Sequence, residues 1–175
     1  MNDIINAIKT RRSNRSFRPD MPDRKDIEAI IEAGLYAASG KDRQATIILA
    51  VTRKEMRDRM AETMRVIDGY SEGFDPFYGA PVILIVLSAQ NVKTRIYDGS
   101  LVMSNLLLAA HSLGLGSLWV HRAKEEFVLP EYRQLLKDLG IPGEWEGIAH
   151  CALGYIDGDL PAASARKSGR VFWVE

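Results

Sequence analysis

Residues 99–113 carry apolar side chains on every side of a helical projection, not on a single stripe. A helix of that kind has to be covered all round, by the rest of its own fold or by a second chain. Asp98 is placed to cap it, and Gly114 and Gly116 end it. Residues 82–87, entered through Pro81, make a similar demand: the run is almost wholly apolar and reads as a central strand covered on both faces. At 175 residues with 46% hydrophobic content, the chain can bury one substantial core and is short for two. A single domain over 1–175 is therefore expected.

The remaining elements fit around these two. A short first helix has Ile4, Ile5 and Ile8 on one face with Asp3 as its cap. A second has Asp23 at its cap, Asp26 in its first turn and Ile27, Ile30, Ile31 and Leu35 at helical spacing, until Ala38, Ser39 and Gly40 break it. Residues 45–51 read as a strand, followed by a charged helix with Met56, Met60, Met64 and Ile67 inward. Between 68 and 80, Gly69, Gly73, Pro76 and Gly79 stand among four aromatics, which predicts a loop. A strand at 117–120, an amphipathic helix at 130–139 stopped by Gly140 and Pro142, and a strand at 148–155 follow. The class is α+β, with four to five strands and helices to either side. The tail has no core pattern from 158 to 167, yet it ends in Val171, Phe172, Trp173 and Val174, so a receiving surface is expected.

Charge narrows the function classes. With 23 basic and 23 acidic residues, no overall field draws the chain to nucleic acid or to an anionic membrane, so neither is expected as a partner. Cys151 is alone, which excludes an internal disulfide and offers no metal-ligand spacing; no metal site is expected. No signal-like start or run of membrane-spanning length is visible, and a cytoplasmic setting is expected.

Four segments could carry chemistry. Arg11, Arg12, Ser13 and Arg15, with Arg18 beyond Phe17, concentrate guanidinium groups and a hydroxyl just past a helix end. Guanidinium forks match phosphate oxygens, although a solvated charge run has the same composition. Ala38, Ser39, Gly40 and Gln44 form a small-residue turn with an amide. Gly114 to Gly116 lead into Trp119, Val120, His121 and Arg122, where glycines allow close backbone approach to a flat ligand, or simply cap a helix before a core strand. Arg166, Lys167 and Arg170 are a second basic group, or a solubilising tail.

Taken together these segments resemble the nitroreductase family along nearly the whole chain. Arg11-Arg12-Ser13-Asn14-Arg15 with Phe17 is similar to that family's amino-terminal flavin mononucleotide (FMN) signature. Ser39 and Gln44, Ala80-Pro81-Val82, Asp98-Gly99 with Leu106, Ala109, Ala110 and Gly114-Leu115-Gly116, Pro142, Gly154-Tyr155 and Arg166-Lys167 continue the series in order. The resemblance implies a nitroreductase-like fold with a central, mostly antiparallel sheet, and an intertwined homodimer with FMN sites built from both chains. By that similarity Arg11 and Ser13 hold the phosphate and ribityl chain, Arg12 belongs to the same cluster without an assigned contact, and Arg166 or Lys167 closes on the phosphate. Arg15 approaches the redox-active ring. Ala38, Ser39, Gly40 and Gln44 come from the partner, the backbone of Trp119, Val120, His121 and Arg122 faces the ring, and the apolar tail wraps the other subunit.

The implied activity is oxidoreduction from NADH or NADPH through tightly bound FMN to a small oxidised acceptor, a nitroaromatic, quinone or similar, with ping-pong kinetics. Arg15 and His121 are the candidate catalytic residues, His121 as a proton donor. Storage or sensing of FMN without turnover is the alternative, and a small-anion or nucleic-acid module is a further one that the neutral net charge disfavours. The sequence departs from the family pattern at Ala38, where proline is usual, at Asp42, where asparagine is common, and at Ser168-Gly169-Arg170. The loop carrying Tyr70, Phe74, Phe77 and Tyr78 is the candidate lid, or ordinary packing.

Overall fold

The computed structural model describes residues 2–175. Strand β2 (Val82–Ala89) is its centre: every residue from Val82 to Ser88 is buried, as a run without polar alternation requires. β2 pairs with β1 (Thr46–Val51) on one side and β4 (Trp145–Gly154) on the other, and β3 (Gly116–Val120) lies outside β4. All three pairings are antiparallel, so the described sheet has four strands in the order β1-β2-β4-β3.

Alternation along the strands divides the core in two. Ile83, Ile85, Leu87, Leu118 and Ala152 pack with Met60 and Met64 of α3 (Lys54–Asp68), Ala123 of α5 (Ala123–Glu126) and Tyr132 and Leu136 of α6 (Pro130–Asp138). On the other face Val82, Leu84, Val86, Cys151 and Leu153 meet Ile27 and Ile30 of α2 (Arg24–Leu35) and Val102, Met103 and Leu106 of α4 (Arg95–Ser112). Gly34 lets α2 and α4 close up, since a Cβ there would lie 2.6 Å from a Leu106 methyl.

The register between β2 and β4 slips at Val86/Leu87: Val86 faces Ala149, Leu87 faces Gly147, and Ile148 is the extra residue of a bulge. Gly147 is required at this point, because a Cβ would stand 2.1 Å from the carbonyl oxygen of Ala123.

Local capping differs from expectation in two places. The first helix, α1 (Asp3–Thr10), is capped by Asn2, not Asp3: Asn2 Oδ1 accepts from the N–H groups of Ile4 at 2.9 Å and Ile5 at 3.4 Å. α4 begins at Arg95, so Asp98 lies inside its first turn and caps nothing. Its carboxylate instead accepts from Thr94 Oγ1 at 2.8 Å and from Gly40 N at 3.0 Å. Of the 68–80 segment, Asp68 ends α3 and residues 69–80 form turns without helix or strand.

Apolar surface is left uncovered in the single chain. α1 buries no residue, and Tyr97 on α4 is 72% exposed. The tail residues Phe172 and Trp173 are 83% and 85% exposed. Among the described residues no helix is long and apolar enough to cross a membrane.

Candidate functional site

Beyond α1 the chain runs along β3. Asn14 N donates to Ser117 O at 3.0 Å, Ser13 bridges Ser117 in parallel, and Phe17 bridges Ile156. Asn14 is buried, with Nδ2 donating to Ser16 O at 2.7 Å; a Cβ on Gly116 would come within 2.6 Å of that nitrogen. This anchorage leaves Arg15 exposed on the rim of a cavity of about 800 Å³, and among the described residues no carboxylate pairs with it.

The cavity has three walls. The end of β3 supplies Trp119, Val120, His121 and Arg122. Trp119 Nε1 donates to His121 Nδ1 at 3.2 Å, so the proton of the neutral imidazole resides on Nε2. Arg122 has φ +78° and its guanidinium is engaged by Asp68 and Glu125, so its charge is already compensated. The β4 bulge supplies Glu146, Gly147 and Ile148. Burial works to raise the Glu146 pKa, but Arg95 at 2.7 Å and Lys124 at 3.5 Å outweigh it and keep the carboxyl below its ordinary value.

The aromatic segment forms the third wall through Tyr70, Phe74 and Tyr78: the Tyr70 and Phe74 rings meet tilted at 4.5 Å, and Phe74 and Tyr78 edge to face at 5.8 Å. Phe77 is fully buried in the core and takes no part in that wall. Asp75 holds this half of the segment by accepting from Phe77 N at 2.9 Å and Gly79 N at 2.7 Å while pairing with Arg57.

A smaller cleft of about 220 Å³ shares Ser100 and Trp119 with the cavity and is lined by Ile8, Arg11 and Ser104. Arg11 Nη1 is buried there without a hydrogen-bond partner. Burial first, and then the neighbouring Arg12, push the Arg11 pKa down. Arg12 Nη1 donates to the carbonyls of Lys9 at 2.8 Å and Arg11 at 2.7 Å. Several cations thus converge with no carboxylate bonded to Arg11 or Arg12 among the described residues. An orphaned buried guanidinium nitrogen is costly unless an anion meets it, and such a donor set suits a phosphate.

The other expected site residues lie elsewhere in the single chain. Ser39 Oγ accepts from Gln44 N at 3.1 Å, and Gln44 Nε2 donates to Asp42 at 3.0 Å. With Ala38 and Gly40 they form a turn tied to Asp98, and none of them lines the cavity. A Cβ on Gly40 would sit 2.5 Å from Thr94 Oγ1. Arg166 bonds the carbonyl of Ser164, and both it and Lys167 lie on the exposed tail away from Arg11.

Sequence reasoning passed over Asp68, Lys124 and Glu146, whose pairings depend on tertiary meetings. It also passed over a fully buried Glu126–His150 pair at 2.6 Å, in which Glu126 Oε1 and His150 Nδ1 have no partner. The one available signal was a histidine in the middle of an apolar strand.

Comparison with known proteins bears on this geometry. A sequence model described as the nitroreductase family matches residues 8–155. A Methanothermobacter thermautotrophicus protein, provisionally named NADH dehydrogenase/NAD(P)H nitroreductase, is 31% identical over 121 residues, which is 67% of this chain and 60% of that relative. One from Archaeoglobus fulgidus with the same provisional name is 29% identical over 158 residues, covering 89% of this chain and 86% of its own. The crystal structure of a nitroreductase with bound FMN from Bacteroides fragilis is 30% identical, with a TM-score of 0.88 and complete coverage of both chains.

Proposed function

The chain belongs to the nitroreductase family, and from that premise we propose that it is an FMN-dependent oxidoreductase passing reducing equivalents from NADH or NADPH to a small oxidised acceptor such as a nitroaromatic or a quinone. The observation that carries the reading is Arg11 Nη1, buried and unpaired, on a residue that lines a cleft sharing Ser100 and Trp119 with a cavity that has aromatic walls and Arg15 on its rim. FMN fits that arrangement, with a phosphate for the cleft and a flat ring for the cavity, and the B. fragilis relative of the same fold binds FMN.

When bound, FMN supplies the two-electron redox chemistry, and the chain's own residues hold and tune it. Arg11 and Ser13 take the phosphate and ribityl chain, with Arg12 beside them. Arg15 places a fixed positive charge at the ring, where it favours electron uptake because charge developing there is stabilised in advance. The segment from Trp119 to Arg122, which lines the cavity, would face the ring. His121, with its proton on Nε2, is oriented by Trp119 to donate to an acceptor in the cavity. Reductant and acceptor share one cavity and therefore take turns, a ping-pong pattern.

A second copy completes the site. The exposed apolar face of α1, the exposed Tyr97 and the apolar tail support a homodimer in which Ser39 and Gln44 reach the partner's cavity and Arg166 or Lys167 closes on phosphate. The lone buried Cys151 suits a reducing cytoplasm.

The test is anaerobic mixing of the FMN-loaded protein with NADH and with NADPH. Loss of the flavin absorbance within seconds, and its return on adding a quinone, is expected. A yellow protein that neither reductant bleaches is a carrier, and a colourless chain that FMN cannot reconstitute has no flavin site.

A further inference from the structure

Where the last turn of α4 meets the last turn of α1, His111 lies beside the same arginines. Its Nε2 is 2.9 Å from Thr10 Oγ1. The single hydroxyl proton of Thr10 points to the carbonyl of Asn6 at 2.8 Å, so the hydroxyl oxygen accepts and His111 Nε2–H donates. Nδ1 is then the atom that gains or loses a proton. Thr10 immediately precedes Arg11, so this contact holds the imidazole at the start of the basic cluster.

The charged groups acting on the ring are both cations. From the residues after α1 come Arg11 and Arg12. On β4 beneath Arg11 is Cys151, whose thiol burial pushes up to about 12 and so keeps neutral. The preceding turn of α4, residues 107–110, is uncharged. Among the described residues no carboxylate bonds to His111, Arg11 or Arg12.

We propose that His111 is a third cation of the phosphate site: its imidazolium joins Arg11 and Arg12 in holding the FMN phosphate, and the protein takes up a proton there as the phosphate binds. The proposal rests on the reading of Arg11 as the phosphate ligand. Burial, followed by repulsion from Arg11 and Arg12, holds the His111 pKa below its ordinary 6.5, which keeps the ring neutral before the ligand arrives. A phosphate among the three groups reverses the local field and favours the imidazolium. FMN and riboflavin differ only in that phosphate, so the preference for FMN should widen as the pH falls from about 8 to about 6.

The experiment titrates flavin-free, full-length chain with FMN and with riboflavin across that range, in wild type, His111→Gln and Thr10→Val. Both proteins see the phosphate's own ionisation near pH ~6, so the wild-type-minus-variant difference isolates the histidine. His111→Gln should lose FMN affinity by about tenfold at the acid end, corresponding to about one unit of linked pKa. It should match wild type at the alkaline end and leave riboflavin unchanged throughout. Thr10→Val removes the strut but not the charge and should keep the pH dependence. Identical FMN profiles in wild type and His111→Gln would overturn the proposal while leaving Arg11 in place, as would a Thr10→Val profile as flat as that of His111→Gln. Equal binding of FMN and riboflavin at every pH would remove the phosphate assignment of Arg11, and His111 with it.

Discussion

Arg57 and Arg11 are the same side chain in opposite settings. Arg57 is buried on α3 and fully used: Nε donates to the carbonyl of Ala80 at 3.0 Å, Nη1 and Nη2 pair with Asp58 and Asp75, and the guanidinium lies over the Phe77 ring at 5.6 Å. Arg95 and Arg122 are likewise spent on carboxylates. Arg11 is partly buried too, but it keeps a nitrogen without a partner and has Arg12 as its charged neighbour. Paired arginines close the fold around the cavity. Arg11, left unpaired, is the one that the proposed function assigns to a phosphate.

Arg57→Ala tests the first half of that contrast and carries the largest effect. It strands Asp75 and uncouples the aromatic wall from α3. Breaking a buried ion pair costs about 3–5 kcal/mol; since the Asp75 side chain is 32% exposed, about 2–3 kcal/mol is expected here after discounting for solvent. A thermal melt should move down by roughly 5–10 °C. An unchanged melt would mean that Arg57 is no more structural than Arg11.

Arg11→Met tests the second half. Charge-assisted bonds to a phosphate contribute about 1.5–3 kcal/mol, so FMN affinity should drop by roughly tenfold to a hundredfold. The unliganded protein should melt at the same temperature or slightly higher, because a half-buried cation without a partner has been removed. A melt lowered as far as that of Arg57→Ala would make Arg11 a structural residue and erase the distinction.

The two groups of arginines were unequally legible. The clustering of Arg11, Arg12 and Arg15 is a property of adjacent positions, as are the apolar runs that became β2 and α4, and local pattern reaches such features. Glu146, the partner of Arg95, and Asp68, one of the two partners of Arg122, lie 51 and 54 residues away, so these pairings appear only once the chain is folded. The bulge at Ile148 was hidden for the same reason, since the need for Gly147 is set by a carbonyl on α5, itself a four-residue helix too short to show a period. Asp98 was misread as a cap because an acid near a helix start satisfies the local rule; its carboxylate serves Gly40 from a turn 58 residues earlier. The Ser39–Gln44 turn and Arg166 stand apart from the cavity in one chain, and only the proposed second copy would bring them to it.

The smallest effect asks whether the unpaired cluster affects the stability of the chain without any ligand. In the folded, unliganded state the His111 pKa is held below 6.5 by burial and by Arg11 and Arg12, whereas the unfolded chain binds its proton at about the ordinary 6.5. Between those two values the unfolded state carries more protons. Stability is therefore fully present above pH 6.5 and declines as the pH is lowered through that value toward the folded pKa. His111 is only half-buried, so the decline in melting temperature should be modest. It should shrink in His111→Gln, and also when inorganic phosphate is added at constant ionic strength, because an anion beside Arg11 lets the folded state accept the same proton. Arg57 offers a control within the same molecule: its carboxylate partners compensate it in the folded chain, so phosphate should leave the melt of Arg57→Ala as far below wild type as it was without phosphate. A phosphate effect that restores Arg57→Ala as well would come from general anion stabilisation, and the separation between the two arginines would not survive it.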